Sequence, residues 1–236
     1  MAARPSIKLA WSLLPWALAA SVGTGLAEPV ETGRETPKNP ALEVSAEAES
    51  PAESEATPII EKLNRTLLEA MKRAGELGYQ GRYRLLEPVV QEAFDFRAIS
   101  RYVLGSHWKR LSPEQQERFV EKMTRYGIAT YAAQFDDYGG ERFEILSEKP
   151  FRGRFRVVKA KLRSPNKDED VEFVYILRRT GDGWKIVDVR YDGISDLALK
   201  RGQFSEILEK EGFEALLSKL DRKIADYAKE DETGTG

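Results

Sequence analysis

The sequence predicts an α+β domain in which a four-stranded, curved antiparallel sheet is covered on one face by helices. Three observations carry this: apolar residues at helical spacing up to Phe135, a change to period two after Gly140, and a return to helical spacing after Ser195.

In the first helical part, Ile59, Ile60, Leu63, Leu67, Leu68 and Met71 recur at three- and four-residue steps, predicting a helix that ends near Gly75 to Gly78. A second helix, Tyr83 to Phe94, is expected to kink or restart at Pro88. A third, with Phe96, Ile99, Tyr102 and Val103, ends at Gly105. Ser112 then caps a long helix, with Pro113 in the first turn and Gln115 completing a capping box. Aromatic side chains line one side of that helix, which is expected to stop at Gly139-Gly140.

Four strands follow: Arg142 to Lys149, Arg154 to Arg163, Val171 to Arg179 and Trp184 to Tyr191. Gly181-Asp182-Gly183 reads as a tight hairpin, and the short links argue for a meander. The alternation slips at Val157-Val158, which suggests a bulge. In the third strand Val171, Phe173, Tyr175 and Leu177 share one face, while Val174 and Ile176 make the other face apolar too. Two helices, Ser195 to Glu209 and Phe213 to Tyr227, close the domain.

Ahead of the domain, residues 1–27 read as a signal peptide: Arg4 and Lys8 precede an apolar run from Leu9 to Val22, and Gly25-Leu26-Ala27 offers a cleavage site after Ala27. The run is interrupted by Pro15 and is shorter than the ~20 residues of a spanning helix. Residues 28–57 form an acidic linker with eight Glu against Arg34 and Lys38, a net charge of −6, and too little apolar surface to order itself. Residues 58–229 form one domain, long enough for a substantial core, and 230–236 a disordered tail. The chain has no cysteine, which excludes a disulfide framework, a thiolate metal site and a lipid-bearing cysteine at the cleavage point. A disulfide-free exported protein of this kind suits a bacterial periplasm.

Residues that could do chemistry are few. His107 is the single histidine, so a hydrolytic triad has one candidate base and a usual zinc site has too few ligands. Its place between Gly105 and the next helix cap suits a scaffold role at a helix terminus. Asp188, Asp192 and Asp196 are spaced by four but straddle a strand and a turn, which fits turn and cap duties better than a hard-cation site. Lys149 to Lys167 carries eight Lys or Arg and no acid; it reads as a solvated strand face or a surface for acidic proteins or anionic headgroups, not for nucleic acid. What is left is abundant apolar surface in a shape able to hold a cavity. Two other classes stay open on the residues alone: a cone-shaped α+β enzyme using an acid or His107, and a protein-interaction module using the basic strand and acidic linker.

The strings FDFRAISRYVLGSHWKRLSPEQQERFVEKM, YAAQFDDYGGERFEIL and GDGWKIVDVRYDGISDLALKRGQFSEILEKEGFEALLSKL resemble the MlaC-like, or toluene-tolerance, family of periplasmic lipid carriers. Within it they are most similar to the hopanoid-biosynthesis-associated HpnM branch. The elements VLG-x-x-W, SPEQQ-x-x-F and W-K-I-x-D-V-x-x-x-G-I-S carry the likeness; the acidic stretch 28–56 departs from it. The resemblance implies a non-enzymatic, cofactor-free, metal-free shuttle, monomeric and soluble, with an apolar pocket between sheet and helices. Its cargo would be hopanoid or phospholipid, and its partners an inner-membrane transporter complex and an outer-membrane acceptor. Within that frame, periodicity assigns Phe94, Ile99, Val103, Phe119, Met123, Tyr131 and Phe135 to the pocket from the helices. Phe173, Tyr175, Val187, Val189 and Tyr191 join them from the sheet, and Glu in place of Val189 or Tyr175 is expected to empty it.

Overall fold

A computed structural model describes residues 56–165 and 170–233; the signal peptide and nearly all of the acidic linker lie outside the described residues. Helix α1, Thr57–Lys72, buries Ile60, Leu63, Leu67 and Met71. No side chain of its own caps its start. Glu148 does so from the sheet, accepting from Ala56 N at 3.2 Å, Thr57 N at 2.9 Å and Thr57 Oγ1 at 2.7 Å. A carboxylate at the positive end of the helix dipole is favourable, and it ties the start of α1 to the sheet.

Helix α2, Ala74–Ala93, is interrupted at Gly78 (φ 56°, ψ 180°), not at Pro88. The expected kink at Pro88 is thus corrected: its fixed φ is compatible with a helix, whereas the Gly78 conformation is closed to residues with a Cβ. Helix α3, Phe96–Leu104, is capped by Asp95, whose side chain accepts from Ala98 N at 2.9 Å. The α2–α3 joint is pinned to the sheet, because Asp95 N donates to Ile186 O at 2.9 Å and the Asp95 carboxylate pairs with Arg178. This joint brings Phe94, Phe96 and Ile99 against the sheet.

A 3-10 turn, Gly105–Arg110, leads to helix α4, Pro113–Gln134, which has the expected capping box: Ser112 Oγ accepts from Gln115 N at 3.2 Å and Ser112 N donates to Gln115 Oε1 at 2.9 Å. The helix stops five residues before Gly139. Asp137, whose side chain accepts from Tyr138 N, offers the backbone a local alternative to the helix.

The sheet is an antiparallel meander in the order β1, Arg142–Phe151; β2, Phe155–Arg163; β3, Val171–Thr180; β4, Gly183–Tyr191; β5, Ile194–Ser195. It has five strands where four were expected. Asp192 (φ 48°) and Gly193 (φ 85°) form a two-residue hairpin turn, and the returning strand is too short to show a period. The expected bulge at Val157-Val158 is absent, since these residues pair in unbroken register with Ile176 and Tyr175. Val157 simply adds to the apolar outer face. The irregularities lie in β1 between Ile145 and Ser147, and between β3 and β4, where Ile176 pairs with Asp188 and Leu177 with Ile186, leaving Val187 without an opposite residue.

Helix α5, Asp196–Lys210, starts at Ser195, whose Oγ accepts from Ala198 N at 3.1 Å. Helix α6, Phe213–Thr233, extends four residues, Glu230, Asp231, Glu232 and Thr233, into the stretch expected as a disordered tail. It lies along α4, joined by Arg118–Glu214 at 2.9 Å and by the Lys122–Asp221 pair. The helices cover the sheet face formed by Val158, Ala160, Phe173, Tyr175 and Leu177, all buried. No described helix is long and apolar enough to cross a membrane.

Candidate functional site

Between α3, α4, the start of α5 and the β4 end of the sheet lies a cavity of ≈ 520 Å³. Its walls are Phe94, Phe96 and Ile99 from the α2–α3 joint and α3, Met123, Tyr126 and Tyr131 from α4, and Val187, Val189 and Tyr191 from β4. Its depth depends on a missing side chain. Gly127 faces the Phe96 ring so closely that a Cβ there would meet Cε1 and Cζ at 2.8 Å. The cavity opens at the β4–β5 turn and the first turn of α5, where Ile194 and Leu199 are 54% and 55% exposed.

Of the twelve residues assigned from sequence, Phe94, Ile99, Met123, Tyr131, Val187, Val189 and Tyr191 line this cavity. The other five do not, and their assignment is corrected. Val103 is fully buried in the core. Phe119 packs edge-on against Phe204, ring centroids 6.2 Å apart, and tilted against Phe213 at 6.3 Å. Phe135, Phe173 and Tyr175 belong to an aromatic run that links Tyr131 to Phe135 (5.8 Å), Phe143 to Phe173 (5.9 Å) and Phe173 to Tyr175 (5.9 Å). This run fills the space beside the cavity, and Phe173 meets the cavity wall through Tyr191 at 5.2 Å. Periodicity identifies which residues point inward; it does not say whether the inward space is occupied.

Burial raises the phenols of this region: Tyr126 is pushed up to about 12, and Tyr131 and Tyr191 well above their ordinary range. They remain neutral. Polar groups gather at the rim instead. Lys200 pairs with Asp196 and lies 5.6 Å from the Tyr126 ring centroid, with Asp170, Asp192 and Gln203 nearby. Sequence reasoning missed this rim; its available signal was the Asp192-Gly193 turn.

Asp188 accepts from Ser195 Oγ at 2.9 and 3.0 Å, and burial raises its carboxyl above the ordinary value, against the opposing effects of Ser195 and Arg190. The folded state then holds this proton more tightly than the unfolded chain, so stability is expected to fall as pH rises through the raised pKa. Asp188→Asn should flatten that slope in thermal melts across the acid range. A slope unchanged by the substitution would remove Asp188 as its source.

Asp188, Asp192 and Asp196 do not converge as a cation site: Asp188 binds Ser195, Asp196 pairs with Lys200, and among the described residues no metal-binding group forms. His107 is not part of the cavity wall. It sits in the 3-10 turn, where Arg110 Nη2 donates to its Nδ1 at 2.6 Å.

Residues 61–222 match the family model described as MlaC protein. The chain belongs to the MlaC family. Among MlaC-like relatives, the toluene tolerance protein ttg2D of Pseudomonas putida is 28% identical over 153 residues, covering 64% of this chain and 66% of the relative. The intermembrane phospholipid transport system binding protein MlaC of Haemophilus influenzae is 27% identical over 127 residues, covering 52% of this chain and 59% of the relative. The chain thus spans less than two thirds of the length of either relative. The MlaC fold is shared with a phospholipid-binding protein from Ralstonia solanacearum solved in complex with a phospholipid, with a TM-score of 0.64 at 20% identity, covering 74% of this chain and 99% of that one.

Proposed function

We propose that this protein is a periplasmic lipid carrier that takes the apolar part of a phospholipid or hopanoid into the cavity, leaves the polar head at the Asp196–Lys200 rim, and moves it between the inner and outer membranes as part of a transport system. The observation that carries the reading is the cavity of ≈ 520 Å³, walled largely by aromatic and aliphatic side chains. The names of its relatives support it, one being a phospholipid transport system binding protein and one having been solved with a phospholipid.

Physical chemistry explains the need for such a device. Bringing a two-tailed lipid into water exposes about 30 methylenes at about 0.8 kcal/mol each, an upper bound near 24 kcal/mol. A carrier offsets that cost with apolar wall area and needs no catalytic group, consistent with a wall of aliphatic side chains and neutral phenols. On this reading the chain is exported by residues 1–27, cleaved after Ala27, and works as a monomer without cofactor or catalysis. It meets an inner-membrane transporter complex at one end of its path and an outer-membrane acceptor at the other. The likeness to the HpnM branch keeps hopanoid beside phospholipid as a cargo, and the names of the relatives point to phospholipid.

Native mass spectrometry of the mature protein purified from a hopanoid-producing host, followed by organic extraction, tests the proposal. A bound mass matching a phospholipid or a hopanoid is expected and names the cargo. Protein that stays empty after incubation with both lipid classes would overturn the carrier reading.

A further inference from the structure

The basic run is left over by the cavity. The β1–β2 turn and the β3–β4 turn lie at the same end of the sheet, since Phe155 pairs with Arg178, and this is the end away from the cavity residues Val171 and Tyr191. Cations crowd there. Arg156 and Arg179 both lie on the Trp184 ring, at 5.7 and 5.5 Å, and Arg156 pairs with Glu148 at 3.0 Å. Arg152 and Arg154 are exposed at the turn, and no carboxylate among the described residues pairs with them or with Lys149. The described carboxylates at this end include Glu148, Asp95 and Glu92, each already paired, and Asp182 in the turn.

The other observation is where the preceding chain joins the fold. Ala56 N and Thr57 N both donate to Glu148, the same carboxylate that pairs with Arg156. Ala56, the first described residue, therefore sits beside the basic end. The stretch leading to it is the most acidic of the chain, with eight Glu between residues 28 and 55 and four of them, Glu47, Glu49, Glu53 and Glu55, in the last nine positions.

We propose that residues 28–55 are the occupant of this basic end: their glutamates dock on Arg152, Arg154 and Lys149 and cover the surface that would otherwise meet an external anion. Reach is ample. At ~3.3–3.6 Å per extended residue, Glu53 and Glu47 lie within about 10 and 30 Å of Ala56. Tethering gives the segment a local concentration on the order of millimolar, so an external anionic surface has to displace it. The contact is electrostatic and solvent-facing, and weakens as the screening length falls from ~10 Å at ~0.1 M salt to ~3 Å at ~1 M.

The chain has no cysteine, so Ser50→Cys gives residues 28–236 a single site for a nitroxide label. At low salt the label is expected to erase most of the amide NMR intensity of Arg152, Arg154 and Gly181–Gly183. High salt, or Arg152→Glu with Arg154→Glu, is expected to restore it while the remaining spectrum stays in place. Full intensity at low salt overturns the proposal, and so does a loss that neither salt nor charge reversal changes, since tethering alone would produce that. As a second readout, the full mature chain with Glu47, Glu49, Glu53 and Glu55 changed to Gln is expected to sediment more with phosphatidylglycerol vesicles than the unaltered chain. Equal sedimentation of both would overturn the docking.

Discussion

Val189→Glu is expected to remove co-purifying lipid while the protein still folds and is exported. Val189 is 6% exposed, and its side chain lies on the cavity wall near the end of β4. A carboxyl placed there faces lipid methylenes in the loaded state. An unpaired polar group against hydrocarbon costs roughly 2–7 kcal/mol, and each ~1.4 kcal/mol is tenfold in affinity, so occupancy should drop more than tenfold. Lipid extraction read beside a thermal melt checks this. Normal occupancy in a folded Val189→Glu protein would take that wall out of the binding site. Glu at Tyr175, by contrast, is expected to unfold the domain, because that side chain is stacked on Phe173 inside the core with its hydroxyl 3.4 Å from Asn64 Oδ1.

Phe119→Ala is expected to cost about 3–5 kcal/mol of stability, without changing the cargo of the protein that remains folded. The ring is fully buried and joins α4 to Phe204 of α5 and Phe213 of α6. For a domain of this size each kcal/mol moves the melting temperature by about 2–4 °C, so a shift of roughly 6–20 °C should be measured. A loss below about 1 kcal/mol would mean that neighbouring side chains collapse into the space, which the close packing of the three rings argues against. The pair of substitutions separates cavity wall from core, a distinction that sequence could not draw.

Local signals were read well where one residue decides the geometry. Ser112 with Gln115 starts α4, Gly105 at φ 53° ends α3, and the 180–183 turn closes the β3–β4 hairpin. Errors arose where two local rules competed or where tertiary contact decided. Pro88 is the stronger breaker on paper, yet the interruption fell at Gly78, since only the latter residue adopts a conformation outside the helix. The start of α1 was invisible because its cap, Glu148, lies 91 residues away from Thr57. Among the site residues, Tyr131 and Phe135 sit one helical turn apart and both face inward, but only Tyr131 reaches the cavity; Phe135 abuts Phe143 at 6.4 Å. Whether an inward residue meets a void or a neighbour depends on a strand that follows it in the chain.

The close approach of Gly127 to the Phe96 ring makes the girth of the cavity a one-residue variable. The helix α4 backbone itself forms that part of the wall, and a single methyl would oblige the ring to move. A stiff fused-ring body and a pliable acyl tail make different demands on such a gauge: the first needs width at one level, the second only a path. On the proposed carrier reading, one scaffold can therefore be retuned between the two kinds of cargo by the residues that meet between α4 and α3, with its helices and its sheet left in place.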